Sequence, residues 1–564
     1  MAEIQIVNIG SSANDGTGDT IRAGMDKVND NFANFKIEGT NFAGSILIGN
    51  STTGTLDNAL SNVGVGIGVL SNITEGDNNV VIGGAAGAGI TIARDNIVIG
   101  TLSGNSLVQG SHNIAIGTSA LFSEDNHGRN VAIGFGALKD QNAGDHAYNV
   151  AIGYQAGTNV TTGTNNVTVG GLTGDALTTG IKNIAIGFAA LSSEDTGNNN
   201  VAIGNEALQD LNFNGNGYNV AIGSRAGANV TTGVHNTLIG GLTGDALTTG
   251  SRNVAMGYSA LSAEDENGRN VAIGYEALRD LNAGNNSFNT AVGYESGRVM
   301  TTGLYNTLLG AKSGDALTSG AGNVAIGYEA LSAENAHGSN VAIGYQSLKT
   351  QDAGVDAYNT AVGYQAGLAI TAGIQNTLIG GLAGDALTDG AKNVAIGYQA
   401  LSTEDGHGRN VAIGFQALED LNAGADAYNV AIGYEAGKEI TTGVQNTIVG
   451  GQAGDALTTG AFNIAIGYKA LSAEDTGSNS TAIGYHALSK QNRDSNNYNI
   501  AIGHSAGQEI TTGNNNVLLG GLVATNLLTG SYNIAIGTQA LFNEDDHGRN
   551  IAIGHNALLS QNAG

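Results

Sequence analysis

The sequence predicts an all-β protein wound into a parallel β-solenoid, and three observations carry that expectation. A pentad of the form N-x-x-[VILM]-G begins at Asn113, Asn130, Asn149, Asn166 and Asn183, and its spacings of 17, 19, 17 and 17 residues recur as a superperiod of 70 as far as Asn533. Inside the pentad two apolar residues flank a small one, as Val131 and Ile133 flank Ala132, which is the period of a strand and not of a helix. Finally, the 564 residues include 90 Gly and no Pro. A stack in which nearly every backbone N–H donates to a neighbouring coil has no place for a residue that lacks one.

In chain order, steps of 17 back from Asn113 land on Asn96, Asn79, Asn62 and Ser45, so the array covers residues 45–564. It holds 30 coils, of which 28 open with Asn and two with Ser (Ser45 and Ser480), and the fifth place is Gly in all 30. A second apolar position follows, at offset eight (Leu121, Leu138, Leu191, Leu208) or offset eleven (Val160, Leu177, Leu211). Two short apolar faces joined by Gly, Asn and Asp turns cannot close a core alone, so each coil must stack on its neighbours. The Gly supplies a positive φ or a close approach, and stacked Asn side chains bond from coil to coil. At strand spacing the coils predict a rod about 140 Å long. Ahead of the array stand an N-terminal module, residues 1–36, and a linker, residues 37–44.

Composition narrows the function classes. With no Cys, disulfide scaffolds, Cys-ligated zinc and thiol catalysis are excluded. The balance of 21 basic against 48 acidic residues, a net charge of −27, speaks against nucleic acid or an anionic membrane as partner. No apolar run approaches the ~18 residues of a membrane span, and the opening MAEIQIVNIG lacks the basic-then-apolar order of an export signal. A soluble chain without membrane insertion is expected.

The pentad and its sequel, NVAIGYEAL at 270–278 and NVAIGYQAL at 393–401, resemble the NSVAIG-S repeat of trimeric autotransporter adhesin heads, the YadA-like left-handed parallel β-roll. The resemblance covers residues 45–564 and implies a homotrimer in which three thin rolls bury the face that one roll leaves exposed. Coils in that family are a few residues shorter, so the extra residues here belong to turns, and the left hand is implied by the resemblance alone. The stretch before the array is similar to the short N-terminal module of tail-fibre and other appendage proteins of tailed bacteriophages, in which an ANDGTGD turn precedes a helix ending in NDNF. Here the turn is Ala13–Asp19 and the closing string is Asn29, Asp30, Asn31 and Phe32. Asp19 or Thr20 can cap a helix whose apolar residues Ile21, Met25, Val28, Phe32 and Phe35 fall at heptad steps. Such a helix suits a three-chain bundle, a helix docked on the virion, or a cap on the open first coil.

Candidate chemistry is sparse. The pairs Glu124/Asp125, Glu194/Asp195, Glu264/Asp265, Glu404/Asp405, Glu474/Asp475 and Glu544/Asp545 read as solvated turns. Sequence neighbours do not face each other across a sugar bond, and a catalytic pair gains nothing from being copied every fourth coil. His127, His337, His407 and His547 sit in the same turns and read as surface residues; copies about 19 Å apart cannot share a metal, although three chains could converge at one level. Gly503–Gly507 spells G-x-S-x-G, but its siblings GYQAG and GYEAG carry Gln or Glu in place of the serine. GGLTGDALT misses the spacing of calcium-binding repeats. No catalysis and no cofactor is expected.

Aromatic residues supply the best hint of a binding surface. Tyr328, Tyr345 and Tyr364 follow the pentad's Gly in three successive coils, as do Tyr398, Phe415 and Tyr434, and stacked at strand spacing they form ladders that serve sugars or packing. A second series, Tyr148, Tyr218, Phe288, Tyr358, Tyr428 and Tyr498, stands once per 70 residues beside the two-residue insertion and reads as packing over a bulged turn. Together the resemblances imply a trimeric fibre of a tailed phage, synthesised in the host cytoplasm. Its N-terminus faces a tail, baseplate or neck protein, and its shaft reaches a host glycan or protein receptor. The alternative is a glycan-binding adhesin solenoid of the autotransporter head type.

Overall fold

The computed structural model of the chain describes residues 35–37, 41–49 and 53–561, and among these the named elements are all three-residue β-strands. The chain divides into two units, Met1–Arg269 and Asn270–Gly564. In the first, thirteen parallel rungs run from Ile46–Ile48 to Val254–Met256, each paired in register with its sequence neighbours. In the second, seventeen rungs run from Val271–Ile273 to Ile551–Ile553 under the same rule. Each unit is thus a parallel β-solenoid with one rung per pentad. Each rung residue of one coil lies beside the same rung residue of the next, as Ala185 lies opposite Ala202 and Ala395 opposite Ala412.

The N-terminal expectation needs a correction. Phe35, placed at the end of the attachment helix, instead opens a strand, β1 (Phe35–Ile37), antiparallel to β2 (Ile46–Ile48). The first rung of a stack has an open edge, and extended chain laid on it satisfies backbone groups that a helix cannot reach. This strand also straddles the expected boundary between module and linker. Ile21, Met25, Val28 and Phe32 lie outside the described residues.

Strand alternation is present, with a definite sense. The middle residue of each rung points inward: Ala132, Ala185, Leu238 and Ala395 are closed to solvent. The flanking Val and Ile point outward, and Ile152 and Ile379 are each 38% exposed. The interior is completed by the offset-eight and offset-eleven residues, so Leu191, Leu208, Val160 and Leu177 are fully buried, each contributing about 1.5–3 kcal/mol of transfer free energy. Large and small side chains complement one another along the stack: at offset eight two leucines (Leu191, Leu208) are followed by two glycines (Gly227, Gly244). A Cβ on Gly227 would stand 2.7 Å from Leu238 and 3.1 Å from Leu208, so the missing side chain makes room for leucines of both neighbouring coils.

Two devices hold the coils in register. The pentad's Gly is required twice over: Gly83 and Gly450 have φ of +137° and +136°, and at each a Cβ would fall 2.6 Å from the carbonyl oxygen of the next coil's Gly. The opening Asn is buried and bonds to backbone more than to its own kind. The Asn166 N–H donates to Asn149 Oδ1 at 2.8 Å, its Oδ1 accepts from the Asn183 N–H at 2.9 Å, and its Nδ2 donates to the Gly180 carbonyl at 2.8 Å. Side-chain to side-chain bonds also occur, as from Asn96 Nδ2 to Asn79 Oδ1 at 3.0 Å. Where Ser480 replaces Asn, Gln491 Nε2 reaches in and donates to its Oγ at 2.7 Å. The residue before each Asn lies in the left-handed region even when it is not Gly, as at Lys182 (φ +60°) and Arg409 (φ +65°). Its N–H still donates to the preceding coil, from Lys182 to the Thr164 carbonyl at 3.0 Å and from Arg409 to the Ala391 carbonyl at 3.1 Å.

Candidate binding surface

The residue after the pentad's Gly leaves the rung pointing to solvent, which brings the predicted aromatic residues into rows. Tyr328 and Tyr345 stack with centroids 5.5 Å apart, and Tyr345 and Tyr364 at 5.4 Å. Tyr398 and Phe415 stack at 5.6 Å, and Phe415 and Tyr434 at 5.4 Å. All six are exposed, from 40% at Phe415 to 55% at Tyr364. The ladder is interrupted because Gly381 occupies the same place in the intervening coil, so one row ends at Tyr364 and the next begins at Tyr398. Within a row the planes lie only 7–19° apart. The inner faces are therefore taken by neighbours, and a ligand meets ring edges and the face at a row's end.

Beside each aromatic row runs a polar row that the sequence reading did not single out. Gln346 Nε2 donates to Glu329 Oε2 at 2.9 Å, and Gln365 Nε2 donates to Gln346 Oε1 at 2.9 Å. Lys349 Nζ pairs with Glu329 at 2.7 Å, and hydrogen bonds from Lys349 and then Gln346 hold the Glu329 carboxyl down at about 2. In the next row Gln416 Nε2 donates to Gln399 Oε1 at 3.2 Å and to Glu419 Oε1 at 2.9 Å. The signal was available in the same periodicity, one residue further along each coil. Ring edges flanked by oriented amides and carboxylates suit a ligand rich in hydroxyl groups.

The Glu-Asp turns are not the solvated loops expected. Glu124, Glu194, Glu264, Glu334, Glu404, Glu474 and Glu544 are all buried, whereas Asp405 beside one of them is exposed. Each Glu sits at offset eleven, where other coils place Val or Leu, so its carboxyl enters the interior layer. Desolvation pushes Glu124 up to about 7 and also raises Glu194, Glu334, Glu404 and Glu474. Backbone donors partly offset that cost, as where the His127 N–H donates to Glu124 Oε1 at 3.1 Å.

The second aromatic series packs along its turn. Tyr148 and Tyr428 take φ of +53° and +55°, and each hydroxyl accepts from the guanidinium of the preceding coil, Arg129 or Arg409. Those guanidinium groups lie 5.4 and 5.3 Å from the ring centroids. Phe288 stacks on Tyr305 at 5.6 Å. Ser505 of the G-x-S-x-G string is 4% exposed, in a turn with φ +52°, and no helix occurs among the described residues to build a nucleophile elbow. Likewise, no helix among them is long and apolar enough to cross a membrane. Neither a family model nor a curated protein matches the chain, so its functional reading stands on the rows, the buried turns and the outward face of the rungs.

Proposed function

We propose that the chain is a structural fibre protein of a tailed bacteriophage virion and serves host attachment as a homotrimeric shaft without an enzymatic step. The observation that carries this reading is the outward Val/Ile face. In both units it repeats on successive rungs, with side chains such as Ile152, Ile222, Ile432 and Ile502 37–39% exposed. An apolar stripe continued over so many coils exceeds what a single soluble chain leaves to water, and association with further copies is the direct way to cover it. The similarity of residues 1–36 to appendage modules supports docking of that end on a tail, baseplate or neck protein. The exposed aromatic and amide rows support contact with a host glycan or protein receptor, multiplied by the copy number along the shaft.

Light scattering on the purified chain tests the assembly, with three times the mass of one chain expected. Immunogold labelling of virions with an antibody against residues 1–36 tests the location. A monomer at micromolar concentration together with unlabelled particles sinks the reading. The second reading, a glycan-binding solenoid of the adhesin-head type, is favoured by the rows alone. It predicts saturable glycan binding that weakens when Tyr364, at a row's end, is changed to Ala.

A further inference from the structure

The seven buried glutamates share one contact and differ in another. In every case Oε1 accepts the backbone N–H three residues on, from Gly197 at 2.6 Å, His407 at 3.2 Å and Gly477 at 2.8 Å among others. In two turns without His the second oxygen is also engaged by the protein. Glu194 Oε2 accepts from the Phe213 N–H at 3.2 Å, and Glu474 Oε2 from Gln491 Nε2 at 2.8 Å and Asn497 Nδ2 at 2.7 Å. Three of the turns that carry His break this pattern; in the fourth, Glu124 Oε2 accepts a long bond from Asn130 Nδ2 at 3.5 Å. Oε2 of Glu334 and Glu544 is buried without a hydrogen-bond partner, Glu404 Oε2 makes no well-formed bond although the Ala423 N–H faces its carboxyl, and Nδ1 of His127, His337 and His407 is buried without a partner. These are fully buried carboxylates left half-satisfied, each beside an imidazole.

The separation of the two groups is informative. His407 Nδ1 lies 3.5 Å from Glu404 Oε1, and His337 Nδ1 lies 3.6 Å from Glu334 Oε1. Both are long for a hydrogen bond and near the ~3.4 Å between two ligands placed tetrahedrally about 2.1 Å from one ion, whereas His547 Nδ1 stands at hydrogen-bonding distance from Glu544 Oε1, 3.1 Å. A third donor completes each group, with the ligand atoms all within 4.8 Å of one another. It is Asp125, Asp405 or Asp545 in three turns. In the fourth, Asn335 stands in that place, and Asp352 of the next coil brings the carboxylate instead. The His337 and His407 side chains are 30% and 33% exposed, so one side of each group is open to water.

We propose that the Glu-x-x-His turns opening at Glu124, Glu334, Glu404 and Glu544 bind a divalent first-row transition ion of the Zn2+ class, held by the buried Glu, His Nδ1 and a second carboxylate. One imidazole with two carboxylates suits such an ion better than Mg2+ or Ca2+, which favour all-oxygen sets. Water completes the coordination on the open side. The ion answers the orphaned carboxylate charge that Phe213, Gln491 and Asn497 answer elsewhere, and it ties the turn to the interior layer.

The test uses the full chain, stripped with chelator and titrated with Co2+ as a spectroscopic stand-in for Zn2+. About four ions per chain are expected, with visible d–d absorption, matching the four groups among the described residues. His407→Asn should remove one, and the fourfold variant H127N/H337N/H407N/H547N should remove all of them. Should that variant misfold, anomalous difference maps from Zn2+-soaked crystals of the unaltered chain decide, with a peak expected between Glu404 and His407. Absence of saturable uptake, uptake unchanged by loss of all four His, or maps without that peak would overturn the proposal and leave an ordinary His–Glu contact.

Discussion

The coils opening at Asn183 in the first unit and at Asn323 in the second agree where they face inward and differ where they face water. Inside, Ala185, Ala190 and Leu191 of one match Ala325, Ala330 and Leu331 of the other, all fully buried. Outside, the places after the Gly read Phe188, Asn205, Ser224 and Gly241 in the first series but Tyr328, Tyr345, Tyr364 and Gly381 in the second. An interior place is bounded by the coil before and the coil after, so it has one acceptable volume. An outer place is bounded on one side only and is open to specialisation. On the proposed reading, binding falls to residues that stability does not choose.

That contrast can be broken from the inside first. Gly450→Val places a branched side chain at φ +136° against a carbonyl 2.6 Å away, and should cost about 3 kcal/mol or more, read as a lowered denaturation midpoint. Gly381→Ala is its control: the added Cβ would meet only the Tyr398 ring, at 3.5 Å, and the midpoint should move by no more than about 0.5 kcal/mol. An unchanged midpoint for the first variant would refute the account of the Gly column.

Next in size is Asn166→Ala. It strips the Asn183 N–H and the Gly180 carbonyl of their buried partners, and a loss of about 2–3 kcal/mol is expected in chemical denaturation. Acidity should have a broader and gentler effect. Burial raises the carboxyl pKa of Glu124 from 4.5 to about 7, so folding favours the protonated form. The stabilisation is whole below about 4.5 and is lost as pH climbs through about 7. In chelator-containing buffer the melting temperature should be lower at pH 8 than at pH 5, and a melt that rises across this interval contradicts the burial of the turns. The smallest stability change belongs to the outer surface. Tyr345→Ala removes a ring stacked on both sides and should cost about 1 kcal/mol or less while reducing receptor or glycan retention on a binding array.

Much of this architecture was legible as periodicity. The spacing of the pentads sets one rung per coil and places like residues side by side, because parallel strands in a stack have no other way to satisfy their backbone groups. The aromatic rows followed from the same count, since a residue at a constant offset must stack on its copies. Periodicity could not say that the Gln and Glu beside those rings bond along the row, because that depends on rotamers chosen in place.

What the sequence determined by itself is the repeat, its register and the need for Gly at the fifth place. Alternation has a period but no sign, so only the folded coil decided that Ala132 turns in while Val131 and Ile133 turn out. Proximity in sequence likewise hid the division of each acidic pair. Glu404 enters the interior and Asp405 stays at the surface because the turn folds one side of the chain over the core. Phe35 joined a strand because the open edge of the first rung offered hydrogen-bonding partners, which a local heptad pattern does not register.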